Sequence, residues 1–446
     1  MKILCVSLGC DKNLVDTEMM LGLLNRDGHT FTDDENEADI IVINTCCFIN
    51  DAKEESVNTI LEMAELKKTG KCKALIVTGC MAQRYKQEII DEIPEVDGIL
   101  GTSTYDEISN VLKQALGGEG HVSCFHDLNA LPEVETSRII TTGGHYAFLK
   151  IAEGCDKHCT YCIIPSLRGN YRSVPMERLL KEANELADQG VRELILVAQE
   201  TTLYGVDLYG KKMLPELLHK LAEIPGIYWI RIQYCYPEEI TDELIEAIRT
   251  EEKVCHYLDV PIQHASDRIL KRMGRRTNQA QLREIIGKLR AAVPDIALRT
   301  TMISGFPGET QEDHEEVMRF VDEMEFERLG VFTYSAEEDT PAAAFPDQIP
   351  EEVKEERRDE IMELQQEIAF EKSESMVGRV LDVMIEGKVA DEAAYVGRTY
   401  MDAPNVDGYI FVNSGELFMS GDFVRVKVTG SNDYDLIGEV YHESAE

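Results

Sequence analysis

Twelve cysteines stand in this chain of 446 residues, and six of them fall into two sets of three with chemical meaning. The first set is compact: Glu153-Gly154-Cys155-Asp156-Lys157-His158-Cys159-Thr160-Tyr161-Cys162. Three intervening residues and then two let a single loop wrap three thiolates round three corners of a cubane cluster, so that the fourth iron is left open. An open iron can chelate the amino and carboxylate groups of S-adenosylmethionine, whose sulfonium accepts one electron and splits to a 5′-deoxyadenosyl radical. Zinc is the competing occupant, although its usual ligand sets are two pairs rather than one triplet.

The second set is dispersed. Ser7-Leu8-Gly9-Cys10, Asn44-Thr45-Cys46 and Thr78-Gly79-Cys80 each close an apolar run and precede a helical pattern. The runs Ile3–Leu8, Ile40–Ile43, Leu75–Val77 and Val96–Leu100 alternate with amphipathic stretches over 14–25, 52–68, 83–93 and 105–116, which predicts a parallel sheet. Parallel strands share one C-terminal edge, the ligand edge of doubly wound sheets, so Cys10, Cys46 and Cys80 are expected to converge. Three thiolates there can hold an iron–sulfur cluster or a zinc ion with one position open; the plainer reading is three small buried hydrophobes. Cys5, Cys47, Cys72, Cys124, Cys235 and Cys255 lack the pattern and read as core, with Cys47 singled out because it adjoins Cys46.

The compact triplet needs a larger scaffold. Strand-like runs at 146–151, 194–198, 228–234, 257–261, 297–303 and 329–334, with helical segments at 177–189, 215–222 and 279–292, predict six βα units. Six units form an open barrel whose C-terminal strand edge is free for ligands, as in the full eight-unit barrel. Ser304-Gly305-Phe306-Pro307-Gly308-Glu309 follows the fifth strand as either a tight turn or a ligand loop. His264 reads as a hydrogen-bonding or structural residue before a catalytic base.

The triplet with Tyr161, the segments Pro261-Ile262-Gln263-His264 and Gly305-Phe306-Pro307-Gly308-Glu309, and the Cys10/Cys46/Cys80 region together resemble the methylthiotransferases of the radical S-adenosylmethionine superfamily, over essentially the whole chain. The resemblance implies a radical-generating 4Fe-4S cluster on Cys155, Cys159 and Cys162 and a second 4Fe-4S cluster, for sulfur delivery, on Cys10, Cys46 and Cys80. It implies two S-adenosylmethionine molecules per turnover, a low-potential electron donor such as a flavodoxin, and nucleotide contacts from Tyr161, Gln199, Arg299 and Gly305 at strand ends.

A charged helix over 351–375 leads to short alternating runs at 380–385, 394–400, 409–412 and 423–429, a small antiparallel β-barrel of the oligonucleotide-binding type that resembles a TRAM domain. The division expected is 1–117, a linker with a possible hairpin over 118–142, 143–373, and 374–446. Residues 374–446 carry 14 Asp or Glu against 5 Lys or Arg, and the whole chain has 83 acidic and 45 basic side chains. Phosphate neutralisation dominates most nucleic-acid affinity, so this balance argues against nucleic acid as the direct substrate and for a basic protein. The family has a branch acting on an adenosine beside the anticodon of transfer RNA and a branch acting on an aspartate of a small, basic small-subunit ribosomal protein. Cys10-Asp11-Lys12-Asn13-Leu14-Val15-Asp16 and the tail from Gly397 to Gly408 resemble the ribosomal-protein branch, with Asp402 and Asp407 expected to read the substrate. The transfer-RNA branch and a non-catalytic iron–sulfur or zinc protein are the alternatives. No run reaches the roughly 18 apolar residues of a membrane span, and cysteine-rich composition without a secretion signal suggests the cytoplasm.

Overall fold

Ile40–Thr45 and Ala74–Gly79 are apolar and buried along their whole length, the signature of strands covered on both faces, and in the computed structural model they form the centre of a parallel sheet. The structure describes residues 1–118, 120–134 and 137–442; residues 119, 135 and 136 of the expected linker and 443–446 of the tail lie outside the described residues. The sheet contains β1 (Lys2–Ser7), β2 (Thr30–Phe31), β3 (Ile40–Thr45), β4 (Ala74–Gly79), β5 (Gly98–Leu100) and β6 (Val122–Cys124), in the order β2-β1-β3-β4-β5-β6. It is wider than the four strands expected. β6 falls in the expected linker, where it pairs parallel to β5 instead of turning into a hairpin. The helix expected over 83–93 is two helices, Cys80–Tyr85 and Gln87–Glu92, because Lys86 between them takes a left-handed backbone with φ +45°.

The central region holds the six parallel strands expected: β7 (Tyr146–Lys150), then β10 (Glu193–Val197), β11 (Trp229–Ile232), β12 (Val254–Asp259), β13 (Ala297–Ser304) and β14 (Arg328–Thr333), laid side by side in chain order. Between β7 and β10, two short antiparallel strands, β8 (Ala152–Glu153) and β9 (Arg172–Ser173), pinch residues 154–171 into a closed loop. Leu194, Leu196, Ile230, Ile232, Leu258 and Leu298 turn to the outer helices and form the largest core. The other face packs against the first helix, where Phe148, Ile195 and Val197 meet Val15, and against the C-terminal barrel through Trp229, Tyr257 and Ala297.

After the helix Glu351–Ser375 the chain closes a five-stranded barrel from β15 (Val380–Lys388), β16 (Ala394–Arg398), β17 (Ile410–Asn413), β18 (Phe423–Asn432) and β19 (Asp435–Val440). β19 was not among the expected strands, and its pairing with β17 is the one parallel contact in an otherwise antiparallel barrel. The barrel is fastened under the N-terminal ends of the central strands. Glu193, which opens β10, accepts from Arg231 at 2.7 Å and from Arg398 at 2.6 Å, all three inaccessible to solvent. Asp402 pairs with Arg328 at the start of β14, and Asp407 accepts from the Tyr257 hydroxyl at 2.9 Å and from Arg299 at 3.2 Å. This corrects the expectation for Asp402 and Asp407. Asp402 is 2% exposed and both carboxylates are spent on internal arginines, so they hold the barrel in place and face no substrate.

Candidate active site

β1, β3 and β4 are neighbours, and each runs directly into a cysteine at the shared C-terminal edge. Cys10 caps the helix Asp11–Arg26, Cys46 follows Thr45, and Cys80 opens the helix Cys80–Tyr85. Glycine makes the approach possible. Gly9 has φ +88°, and a Cβ there would lie 2.8 Å from the Cys46 sulfur; Gly79 has φ +92°, and a Cβ there would lie 2.5 Å from the Thr45 carbonyl oxygen. Asn13 ties the edge together: its Nδ2 donates to the carbonyls of Leu8 (2.9 Å) and Thr45 (3.1 Å), and its Oδ1 lies 4.0 Å from the Cys80 sulfur. Ser56 braces Cys46 by accepting from its amide at 3.1 Å and donating to its carbonyl at 2.8 Å. The three thiols act on one another. Burial pushes the Cys46 thiol up to about 12, and the charges of Cys80 and Cys10 add to the rise.

The compact triplet hangs from the β8/β9 pinch. Gly154 has φ +78°, and a Cβ there would meet the Asn170 carbonyl oxygen at 2.1 Å, so only glycine lets the loop leave the strand. Cys155 donates its amide to Gly169 at 3.1 Å, Cys162 to Cys159 at 3.0 Å, and Thr160 to Met273 at 2.9 Å. Burial raises Cys155 to about 11 and Cys162 to about 12, and Cys159 and Cys155 add to the rise at Cys162. Cys46, Cys80, Cys155 and Cys162 therefore favour the neutral thiol, and a metal that took them as thiolates would release their protons. Among the described residues, no three His, Cys, Asp or Glu side chains stand around one point as a single metal ion requires.

Side chains of the central domain bridge the two sets. Tyr234-Cys235-Tyr236 follows β11 at the C-terminal edge; the Tyr234 hydroxyl lies 3.2 Å from Asp11, next to Cys10, while the Tyr236 hydroxyl lies 3.6 Å from the Cys159 sulfur. A second bridge is ionic. Arg168, at the end of the helix Ile164–Arg168, is buried between Asp16 (3.0 Å) and Glu153 (3.0 Å); Lys150 pairs with the same two carboxylates, and Gln199 donates to Glu153 at 3.0 Å. Removing one member of such a buried set costs about 3–5 kcal/mol, because it strands the partner charge. Glu153 stands two residues before Cys155 and Asp16 six after Cys10, so this network fixes one set against the other. Sequence reasoning missed Asn13, Asp16, Lys150, Glu153 and Arg168; their one visible signal was adjacency to the cysteines.

The expected nucleotide contacts divide. Tyr161 packs edge-on against Phe306 with centroids 6.5 Å apart, and Gln199 lies just past β10 with a buried Oε1 that has no hydrogen bond among the described residues. Arg299 departs from expectation: it is the third residue of the eight in β13, not a strand end, and is engaged by Asp407 and Asp259. Gly305 has φ +68° and lies against Lys354, whose Cγ a Cβ would meet at 2.2 Å, so its glycine serves helix packing. His264 is buried, accepts from the Ser266 amide at 2.9 Å and lies 3.4 Å from Glu309, as a structural residue would. Cys47 belongs to the core with Ile43 and Ile60. No cysteine lines the cavity of about 600 Å³ bounded by Met19, Arg138, Arg178 and Glu182.

Known proteins agree with this architecture. Family models match at residues 2–101 (uncharacterized protein family UPF0004), 149–321 (radical SAM superfamily) and 377–440 (TRAM domain). Solved structures of the methyltransferase TsrM from Kitasatospora setae (12% identity, 74% of each chain, TM-score 0.54) and of OxsB (14% identity, 82% of this chain and 56% of that one, TM-score 0.53) share the fold. Among curated proteins, the ribosomal protein uS12 methylthiotransferase RimO of Lachnoclostridium phytofermentans is 67% identical over 98% of this chain and 99% of its own, and that of Acetivibrio thermocellus is 52% identical over 100% and 99%. An iron–sulfur cluster and S-adenosylmethionine come with the radical SAM match. Sharing two thirds of its residues with such a relative from end to end, this chain belongs to the RimO family of radical SAM methylthiotransferases.

Proposed function

We propose that this enzyme replaces a hydrogen on the β-carbon of an aspartate of ribosomal protein uS12 by a methylthio group. Cys155, Cys159 and Cys162 hold the cluster that binds and cleaves S-adenosylmethionine, and Cys10, Cys46 and Cys80 hold a second 4Fe-4S cluster for the sulfur. The observation that carries this reading is that two cysteine triplets lie at neighbouring strand edges and are linked through Tyr234-Cys235-Tyr236, whose hydroxyls reach Asp11 beside Cys10 and the Cys159 sulfur. An unactivated β-CH₂ has no acidic proton, so no base can prepare it; the cleaved S-adenosylmethionine supplies a primary carbon radical that can take the hydrogen atom. One S-adenosylmethionine is used for the radical and another as methyl donor. Tyr161 and Gln199 face the nucleotide, while Arg299 and Gly305 carry the contacts of a fastened strand and a packed turn.

The reading extends to organisation and surroundings. The sulfur-site region is 1–117, joined by 118–142 to a radical domain at 143–373 and a barrel at 374–446; the three family spans support these bounds. The acidic barrel and the uS12 in the relatives' names support a basic ribosomal protein as substrate rather than RNA. A low-potential donor such as a flavodoxin delivers the electron, and the cytoplasm is where ribosomal protein and donor meet; no helix among the described residues is long and apolar enough to cross a membrane.

The test is competition. Reconstituted enzyme given uS12 and transfer RNA in one anaerobic reaction at about 0.15 M salt, where the screening length is roughly 8 Å, should put the mass of one methylthio group on a uS12 aspartate and leave the RNA unchanged. Modification of an adenosine with uS12 untouched would transfer the assignment to the transfer-RNA branch.

A further inference from the structure

Lys12, two residues after Cys10, is 6% exposed, yet among the described residues its ammonium has no hydrogen bond and no ion pair. It rests on the face of Tyr234, 3.2 Å from the ring centroid, and so reaches from the first helix across to the C-terminal edge of the central sheet. Neither carboxylate beside it reaches the ammonium within ion-pair distance. Asp11 accepts from the Tyr234 hydroxyl, and Asp259, which feels the Lys12 charge from beyond ion-pair range, accepts from the Tyr234 amide at 3.0 Å and lies 3.6 Å from Arg299. A cation–π contact offsets only part of the cost of confining an ammonium in so little solvent, so an anion is the partner this place favours. Other polar atoms at this edge await partners: Gln199 Oε1, Gln233 Oε1 and Asp259 Oδ1 are buried without a hydrogen bond among the described residues.

We propose that the Lys12 ammonium binds the side-chain carboxylate of the substrate aspartate, and so determines both which residue is modified and which of its hydrogens faces the radical source. This rests on the uS12 reading above. The carboxylate carbon is bonded to the β-carbon, so a charge-assisted hydrogen bond to the carboxylate restricts the reacting C–H to a small arc. Tyr234 supplies the floor, and the Tyr234–Tyr236 segment runs from this place to Cys159, which puts the held residue between the two thiol sets.

The experiment compares the wild-type holoenzyme with Lys12→Met, which keeps an apolar stem over Tyr234, and with Lys12→Arg. Each is titrated with a uS12 loop peptide carrying the target aspartate and with the same peptide carrying asparagine, and iron content and S-adenosylmethionine affinity are measured in parallel. Lys12→Met should weaken the aspartate peptide about tenfold, the scale of one charge-assisted contact, while leaving the asparagine peptide as it binds wild type; Lys12→Arg should restore part of the loss. Equal weakening of both peptides would overturn the proposal in favour of a structural role. Weaker S-adenosylmethionine binding would assign the ammonium to the cofactor's carboxylate, and lost iron would assign it to the cluster; either overturns the proposal. If wild type bound neither peptide, the uS12 reading itself would fall, whereas binding by wild type with no change in Lys12→Met would refute the Lys12 assignment alone.

Discussion

Replacing Cys155, Cys159 and Cys162 together by alanine should abolish cleavage of S-adenosylmethionine and remove about half of roughly eight irons and eight sulfides in the reconstituted enzyme. The loop that carries them is set by backbone, not by the thiols: the β8/β9 pair, the Cys155 amide on Gly169 and the Thr160 amide on Met273 all survive truncation of the side chains. The fold should therefore persist, and loss of chemistry with retained secondary structure separates a ligand role from collapse. Cleavage at the wild-type rate by the triple variant would show that the radical arises elsewhere.

The companion replacement, Cys10, Cys46 and Cys80 to alanine, should remove the other half of the iron and lower methylthiolated product on the order of a hundredfold, while cleavage of S-adenosylmethionine stays within about twofold of wild type. The asymmetry follows from position. These thiols sit on the edge of β1, β3 and β4 and meet the central loop through the Tyr234–Tyr236 segment, the Arg168 network and the packing of Ile163 and Leu167 in the cluster that holds Cys80, none of which is a ligand of the other set, so radical generation does not pass through them. Truncating buried Cys46 and Cys80 leaves small voids, and the Asn13 and Ser56 hydrogen bonds to backbone carbonyls remain to hold the edge. Iron content unchanged from wild type would refute a second cluster at this place.

Both triplets were legible because each has a local sign. The compact one is a spacing, and the dispersed one is a repeated strand–cysteine–helix transition whose parallel topology places all three at one sheet edge. The six central strands were legible for a similar reason, since runs such as Leu194–Ala198 are apolar throughout. What failed to show was short or distant. Thr30–Phe31 and Val122–Cys124 have too few residues to display a period, and become strands only because a sheet edge is there to pair with. Asp16, Lys150, Glu153 and Arg168 form one network from residues up to 152 apart in sequence, and nothing in the neighbourhood of any one of them announces the others. Asp402 and Asp407 were misread because formal charge carries no sign of burial: an acidic tail on paper contains carboxylates that Arg328 and Arg299 have already neutralised. Lys12 was in plain view as part of a motif, but its lack of an anionic partner is a property of the fold alone.

The enzyme is expected to take a hydrogen atom from the β-carbon of a uS12 aspartate. The direct measurement of this is the fate of deuterium placed at that carbon: substrate labelled there, incubated anaerobically with reconstituted enzyme, reductant and unlabelled S-adenosylmethionine, should yield 5′-deoxyadenosine carrying the label in step with methylthiolated uS12. Methylthiolated product formed with 5′-deoxyadenosine free of deuterium would contradict it.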